Sequence, residues 1–380
     1  MNKAFKYRIY PNKSQQILFA KTFGCVRVIW NANVESFNSY DKDANPKPKI
    51  ITKSDLITDK LWLNEISVAA IQQKIRDFQE TSKQFFSKTR KKRIGRPSFK
   101  KKSGIQSYRL PNQKFSLGDN KIRLEKIGWV KMRVDRAIPD ESKILSCTIS
   151  MNCCGQYFVS VLVETLILHK HKTGKMVGID LGLKSFATLS GSTVIDNIKF
   201  FREKQSEIVK IQRHLSRKKK GGNRYRKNKL RIARLHNKIA NKRNYFLHSV
   251  TTYLADNYDV ICIEDLNVSG MLSNHKLAKA ISDTSFYQFR SMLEYKCNWY
   301  GKELVVIDRF YPSSKTCSKC GWKKEDLTLS DRVFKCENCG MEIDRDLNAA
   351  INIKRVGVDI LYNRTQRDEV TNPVEAFKIK

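Results

Sequence analysis

The chain has 380 residues, 41% of them hydrophobic, which is enough for two or three domains with buried cores. It sets 73 Lys+Arg against 37 Asp+Glu, a formal charge of +36 that repels itself unless a polyanion neutralises it. Nucleic acid is the implied partner, and a membrane surface is disfavoured because the basic residues recur along most of the chain rather than in one amphipathic segment or tail.

Met1 leads into a charged strand rather than an apolar signal segment, and no apolar run approaches the length of a membrane span. The expected compartment is the reducing cytoplasm, at the nucleoid if the source is prokaryotic. There Cys25, Cys147, Cys153, Cys154, Cys262 and Cys297 read as reduced structural residues.

The first element is an alternating strand with Phe5, Tyr7 and Ile9 on one face, ending at Pro11. A helix follows, with Ser14 as its cap and Ile17, Leu18, Phe23, Val26, Ile29 and Trp30 at helical spacing. A second helix is expected over 67–86; its Gln72 and Gln73 suit adenine edges, or are plain solvent-exposed helix formers. The run from Lys88 to Gly104 holds nine basic residues and no acidic one, and Gly95 and Pro97 break any helix in it. It reads as an ordered basic loop in which Arg90, Lys91, Lys92, Arg93, Lys100, Lys101 and Lys102 pair with phosphates beside Phe85, Phe86 and Phe99; a solvated linker is the plainer reading.

From Ser107 to Thr165 the texture turns to strands. Turn signals at Gly118-Asp119-Asn120 and Cys154-Gly155-Gln156 separate runs at 121–124, 130–134 and 157–163. With the first strand they predict a small β-barrel, split by the helical insertion. After Lys175 the pattern is α/β: an apolar strand carrying Asp180 near its end, two further strands at 185–189 and 192–195, then a stretch from Arg202 to Arg243 with seventeen basic and two acidic residues. Gly221-Gly222 divides that stretch, and apolar stripes (Ile208, Ile211, Leu215; Ile232, Leu235, Ile239) make it a helical hairpin whose other faces track phosphates. Buried strands follow at 258–263, ending in Glu264-Asp265, and at 303–307, ending in Asp308.

Cys317, Cys320, Cys336 and Cys339 are spaced C-x2-C-x15-C-x2-C, the spacing of a structural zinc ribbon in which four thiolates hold one Zn2+ tetrahedrally. A redox dithiol would show a single CxxC with no partner knuckle. Beyond it, Asp346 opens a helix over 346–353, where the macrodipole favours a carboxylate. Asp180, Glu264 and Asp346, at two strand ends and a helix start, can converge on one sheet edge. Hard oxygen ligands there would hold two Mg2+ ions for in-line phosphodiester hydrolysis. Asp265, Asp308 and Asp344 are rivals, each with a cap or a salt bridge as its ordinary role.

The segments GIDLG at Asp180, IEDLNVSGM at Glu264, RFYPSSKTCSKCG at the first knuckle and DRDLNAAINI at Asp346 resemble the TnpB (OrfB) family over nearly the whole chain. That family comprises transposon-encoded nucleases similar to type V CRISPR effectors. The resemblance implies an RNase H-like (RuvC) endonuclease, guided by a transposon-end RNA and cleaving DNA beside a short motif. It implies a wedge β-barrel at 1–12 and 105–172, a helical recognition insertion with the basic loop at 13–104, the nuclease at 173–310 and 346–363, the zinc ribbon at 311–345 and a disordered tail at 364–380. By the same resemblance Asp180, Glu264 and Asp346 are the first, second and third catalytic acids, and the xNAA context favours Asp346 over Asp344. Arg309 is a candidate contact to the scissile phosphate, with structural pairing to an acid as the alternative. Two other readings stay open: a transposase that joins DNA ends without RNA, and a noncatalytic guided DNA-binding regulator.

Overall fold

The computed structural model describes residues 1–39, 48–87, 94–166, 169–328 and 330–371, with backbone alone at 365 and 367–371. The chain divides into two compact units, Met1–Leu166 and Ile167–Lys380.

In the first unit β1 (Asn2–Tyr10) leads into α1 (Lys13–Asn38), and α2 (Val68–Phe86) follows. Six strands complete it: β2 (Gln106–Pro111), β3 (Phe115–Gly118), β4 (Lys121–Leu124), β5 (Gly128–Arg133), β6 (Lys143–Met151) and β7 (Tyr157–Glu164). They form one antiparallel sheet in the order β2-β6-β7-β1-β5-β4-β3, so the N-terminal strand lies in its middle. The alternation read in the sequence holds: Phe5, Tyr7 and Ile9 are buried with Val159, Val161 and Val163 beneath Phe19 and Phe23 of α1.

Two expectations change here. The sheet ends at β2 and β3, which do not pair with each other, so it is a curled half-barrel rather than a closed barrel. Its β2 edge is covered by α2, whose Asp77 pairs with Arg109 at 2.8 Å, so covering rather than closure protects that edge. Asn12, not Ser14, caps α1: its Oδ1 accepts the Gln15 amide at 2.9 Å while Gln15 Oε1 accepts the Asn12 amide at 3.0 Å. That reciprocal pair occupies two otherwise orphaned donors, which a serine two residues further on cannot do.

The second unit begins with β8 (Met176–Leu181), β9 (Ser185–Leu189) and β10 (Val194–Asp196). A helical hairpin follows, α3 (Phe200–Ser216) and α4 (Asn223–Asn257), joined at Gly221-Gly222 with Phe200, Ile208 and Ile239 buried between the arms. Then come β11 (Val260–Glu264), α5 (Val268–Leu272), α6 (Ala278–Thr284), α7 (Phe286–Tyr300) and β12 (Glu303–Ile307). A two-stranded ribbon, β13 (Val333–Lys335) and β14 (Glu342–Asp344), precedes α8 (Arg345–Thr371). α8 is longer than the helix expected from the sequence and continues past Arg364, where the tail was placed; 372–380 lie outside the described residues.

The main sheet has the order β10-β9-β8-β11-β12, antiparallel from β10 to β8 and parallel from β8 to β12. Parallel strands are covered on both faces, which is why β11 reads as a continuous apolar run. One face carries Val177, Ile179, Ile261 and Ile263 against Leu247, Val250 and Leu254 of α4 and Phe286, Phe289 and Leu293 of α7. The other carries Val260, Cys262, Val305 and Ile307 against Ile353 of α8. Among the described residues no helix is long and apolar enough to cross a membrane.

Candidate metal and nuclease centre

Strand parity assembles the acids. Ile263 pairs with Ile179 in the parallel register of β11 and β8, so Glu264 lies beside Asp180 on the next rung, and both belong to the face that α8 covers. A methyl at Gly178 would collide with the Ala350 carbonyl and the Lys354 amide, and one at Gly357 with the Cys262 sulfur. Glycine at these two positions lets α8 lie directly on β8 and β11, which brings Asp346 in its first turn over the strand ends.

Asp180 and Asp346 line one cleft of about 250 Å³ with Lys184, Lys315, Arg332 and Arg345. Glu264 lines a neighbouring cleft of about 450 Å³, and Leu181 belongs to the walls of both. Desolvation, and then the charges of Glu264 and Asp346, push the Asp180 carboxyl up to about 7. Burial also raises Glu264, partly offset by the hydroxyl of Ser313, which donates to its Oε1. The Arg345 guanidinium donates to Asp346 Oδ1 at 2.9 and 3.1 Å. Crowded carboxylates in a partly dry site favour a bound cation, and their hard oxygens suit Mg2+. The three acids fit that ion by donor chemistry, although among the described residues their oxygens do not close to the spacing the cysteine sulfurs reach.

The rival acids have partners of their own. Asp344 Oδ1 accepts the amides of Asp346 and Leu347 at 3.0 Å each and so caps α8. Asp265 is held between Arg290 and Arg309, and the hydrogen bond from Arg309, followed by that from Arg290, keeps its carboxyl below the usual range. Asp308 Oδ1 accepts the Phe310 amide at 2.7 Å. For Arg309 the structure therefore shows the acid-pairing alternative.

The four cysteine sulfurs lie within 4.8 Å of one another, with Cys317 to Cys339 at 3.7 Å and Cys320 to Cys336 at 3.5 Å. Tetrahedral sulfur about zinc at ~2.3 Å requires S···S edges of roughly 3.8 Å, so the donor set fits the ion. The two knuckles repeat one backbone pattern. The Cys317 amide donates to Trp322 O at 2.8 Å and the Cys336 amide to Met341 O at 2.9 Å, while the amides of Gly321 and Gly340 return to Cys317 O and Cys336 O at 2.9 Å. Both glycines have positive φ, +80° and +67°, the conformation the reversal requires. The backbone amide of Trp322 and the Asn338 carboxamide lower the Cys320 thiol to about 6. Cys339, despite the Met341 amide, is pushed up to about 12 by desolvation and the surrounding sulfurs. Four thiolates this close need a countercharge, which a divalent ion supplies.

Sequence reasoning missed what joins these two centres. Asn348 and Asn352, one helical turn apart on α8 and fully buried, bind the strap before and through the first knuckle. Asn348 Nδ2 donates to Thr316 O at 2.8 Å and its Oδ1 accepts the Ser318 amide at 2.9 Å; Asn352 Nδ2 reaches Ser313 O at 2.9 Å and Thr316 O at 2.6 Å. A pair of asparagines at i, i+4 in an apolar helix was the available signal, since buried amides need partners.

The other predicted contacts belong to the first unit. Gln72 is exposed and Gln73 half-buried on α2. Arg90, Lys91, Lys92 and Arg93 lie outside the described residues. The loop at 98–106 is pinned to its surroundings: Trp30 Nε1 donates to Ser98 O at 3.0 Å, the Lys100 amide to Asn31 Oδ1 at 2.8 Å, and Gln106 Nε2 to Gly104 O at 2.9 Å. Lys100 stacks its ammonium on the Trp30 ring at 3.6 Å, and Lys101 and Lys102 beside it are, like Lys100, exposed.

Family profiles match three segments: residues 157–275 to one described as "Probable transposase" of the OrfB IS605 type, 286–353 to "Cas12f1-like, TNB domain", and 1–35 to "Helix-turn-helix domain". In the structure the last segment is β1 and a single continuous helix. A Streptomyces pristinaespiralis protein described as "Putative RNA-guided DNA endonuclease" is 37% identical, over 94% of this chain and 90% of that one. An Escherichia coli K12 protein, "Putative RNA-guided DNA endonuclease InsQ", is 31% identical over 94% and 93%. A TnpB-like protein of Acanthamoeba polyphaga mimivirus is 28% identical over 94% and 74%. The fold is that of the Cas12f1 chain in a cryo-EM structure of a Cas12f1-sgRNA-target DNA complex, with a TM-score of 0.54 at 13% identity over 93% of this chain and 98% of that one. The chain belongs to the TnpB/OrfB family of the IS605 type.

Proposed function

We propose that this protein is an RNA-guided DNA endonuclease that hydrolyses target DNA with an RNase H-like (RuvC) centre built from Asp180, Glu264 and Asp346. The observation that carries the reading is the convergence of three carboxylates, from β8, β11 and α8, on one face of a mixed sheet. Full-length similarity to proteins described as RNA-guided DNA endonucleases supports it, as does the fold shared with Cas12f1. The nuclease comprises 173–310 and 346–363, the zinc ribbon 311–345, the wedge half-barrel 1–12 and 105–172, and the recognition insertion 13–104. Its partners are a guide RNA from the transposon end and double-stranded target DNA, met in the cytoplasm.

Asp180, Glu264 and Asp346 would hold Mg2+, which supplies an activated water and charge stabilisation at the leaving oxygen. The chain's own part is to orient and partly dry the carboxylates. β8 and β11 fix two of them one strand apart, Ser313 holds an oxygen of Glu264, and Arg345 holds Asp346. Cys317, Cys320, Cys336 and Cys339 would bind Zn2+, which stabilises the ribbon. Base pairing reads the target sequence, while exposed cations follow the backbone and the protein reads only a short flanking motif.

The test is to express the protein with its native flanking DNA, sequence the RNA that copurifies, and challenge the complex with a plasmid library of randomised flanks in Mg2+. The expected result is one discrete RNA and guide-dependent cleavage beside a single motif, abolished in Asp180→Ala with RNA retained. Unaltered cleavage by Asp180→Ala would refute the site. Bound RNA without cleavage by the wild type favours a guided binder, and absence of a discrete RNA favours a transposase.

A further inference from the structure

A short strap between β12 and the first cysteine knuckle touches all three parts of the second unit's chemistry. Ser313, 4% exposed, gives its hydroxyl to Glu264 Oε1 and its carbonyl to Asn352 at 2.9 Å. Three residues on, the Thr316 carbonyl accepts from both Asn348 and Asn352, and the Ser318 amide returns to Asn348. Cys317, a member of the sulfur cluster, lies between Thr316 and Ser318. Asn348 and Asn352 stand on the helix whose first turn carries Asp346.

The strap's other bonds are local. Thr316 Oγ1 donates to Pro312 O at 2.9 Å, and the Cys317 amide to Trp322 O at 2.8 Å within the knuckle. The register of the knuckle therefore fixes where the Thr316 and Ser318 backbone stands. That backbone fixes Asn348, and the same run of chain fixes Ser313 against Glu264. Both asparagines are fully buried, so a shifted strap would leave amide groups without partners, at a cost that makes the arrangement cooperative.

We infer that Ser313 is a positioning residue for Glu264, and that zinc loading of the cysteine cluster sets the divalent-ion affinity of the acid centre through the Ser313–Ser318 strap and the two asparagines. The inference rests on the proposed acid centre. Zinc then acts beyond holding its own ribbon: it orients one carboxylate through a hydroxyl and seats the helix that bears another. Partners that orient a metal ligand typically change metal affinity by roughly 10–100-fold.

The experiment measures Mn2+ binding by electron paramagnetic resonance on the full chain with its copurified RNA, alongside the Mg2+ concentration for half-maximal cleavage and the zinc content. Ser313→Ala should weaken Mn2+ binding about tenfold, with one zinc per chain retained, and should raise the Mg2+ requirement in parallel. Ser313→Thr, which keeps the hydroxyl, should restore affinity to within about threefold, a rescue that loss of packing alone would not give. Wild type stripped of zinc by a thiol-competing chelator and returned to Mn2+ should show the same weakening, and stripping Ser313→Ala should add little, because both act through one strap. Unchanged Mn2+ affinity in Ser313→Ala, beside a wild type that binds Mn2+ and cleaves, overturns the inference alone. Independent, multiplying effects of zinc loss and Ser313→Ala overturn the coupling. A wild type that binds no Mn2+ overturns the proposed centre, and this inference with it.

Discussion

Asp344 and Asp346 are two residues apart and have different partners: Asp344 accepts backbone amides, and Asp346 accepts from Arg345. Asp344 accepts two amides at the start of α8, and asparagine caps helices about as well as aspartate. Asp344→Asn should therefore keep cleavage and shift stability by only a few tenths of a kcal/mol, and Asp344→Ala should cost about 1 kcal/mol, both read by thermal melting. Asp346→Asn should leave the melt unchanged and reduce cleavage to background. Cleavage surviving in Asp346→Asn but lost in Asp344→Asn would exchange their roles. Asp180 and Glu264 stand out in the sequence because a carboxylate at the end of an apolar strand is costly without a partner, and the parallel register of β8 and β11 sets them side by side. Ser313 and Arg309 were harder to read. Their partners, Glu264 and Asp265, lie more than forty residues earlier, and no local pattern records such a pairing.

Among the elements, α8 is the one the site depends on most, and Gly178 is where it meets the sheet. A β-carbon there has no space before the backbone of α8, so Gly178→Ala must push the helix outward and lift Asp346 from the strand ends. We expect a loss of about 1–3 kcal/mol in chemical denaturation, the usual range for overpacking, together with impaired cleavage. Native stability in that variant would mean that the helix does not bear on the strand. In the ribbon a bound zinc would outweigh burial: Phe334, its fully buried aromatic, contributes about 1.5–3 kcal/mol, against ~10–16 kcal/mol for zinc in a cysteine-rich peptide. Cys336→Ser should abolish stoichiometric zinc in elemental analysis and expose the ribbon to protease, while the main sheet stays folded. Strand and helix periods were plain in the sequence, since β8, β11, β12 and both arms of the hairpin follow their apolar residues. Closure of the first unit's sheet was not, because it depends on whether β2 and β3 meet, and alternation along a strand is blind to its edges. The reach of α8 past Arg364 was missed for a related reason: its last turns are polar, and the apolar period had already stopped.

For the whole molecule, the charge of +36 makes binding a matter of counterions. Guide affinity should fall linearly on a logarithmic salt axis, by roughly 10³-fold or more between 50 and 200 mM if about six or more phosphates are neutralised. Lys219 and Arg224, exposed on either side of the Gly221-Gly222 turn, are suitable probes. Reversing both to Glu should lower the slope by about one unit for each phosphate left unneutralised, as read by filter binding, whereas Asp180→Asn should leave it unchanged. A double reversal with the wild-type slope would remove the hairpin tip from the interface. Polyanion binding could be read from composition alone, while the particular cations that bear on the guide could not, because exposed lysines look alike along a chain. The layered sheet has a further consequence, in time rather than in space. Asp180 and Glu264 emerge from the ribosome first, but the third acid and its seat against Gly178 arrive only with α8, after the cysteines. A product that stalls between Glu264 and Asp346 holds two of the three proposed acids and a sheet face that α8 has not yet covered, and so carries no complete centre.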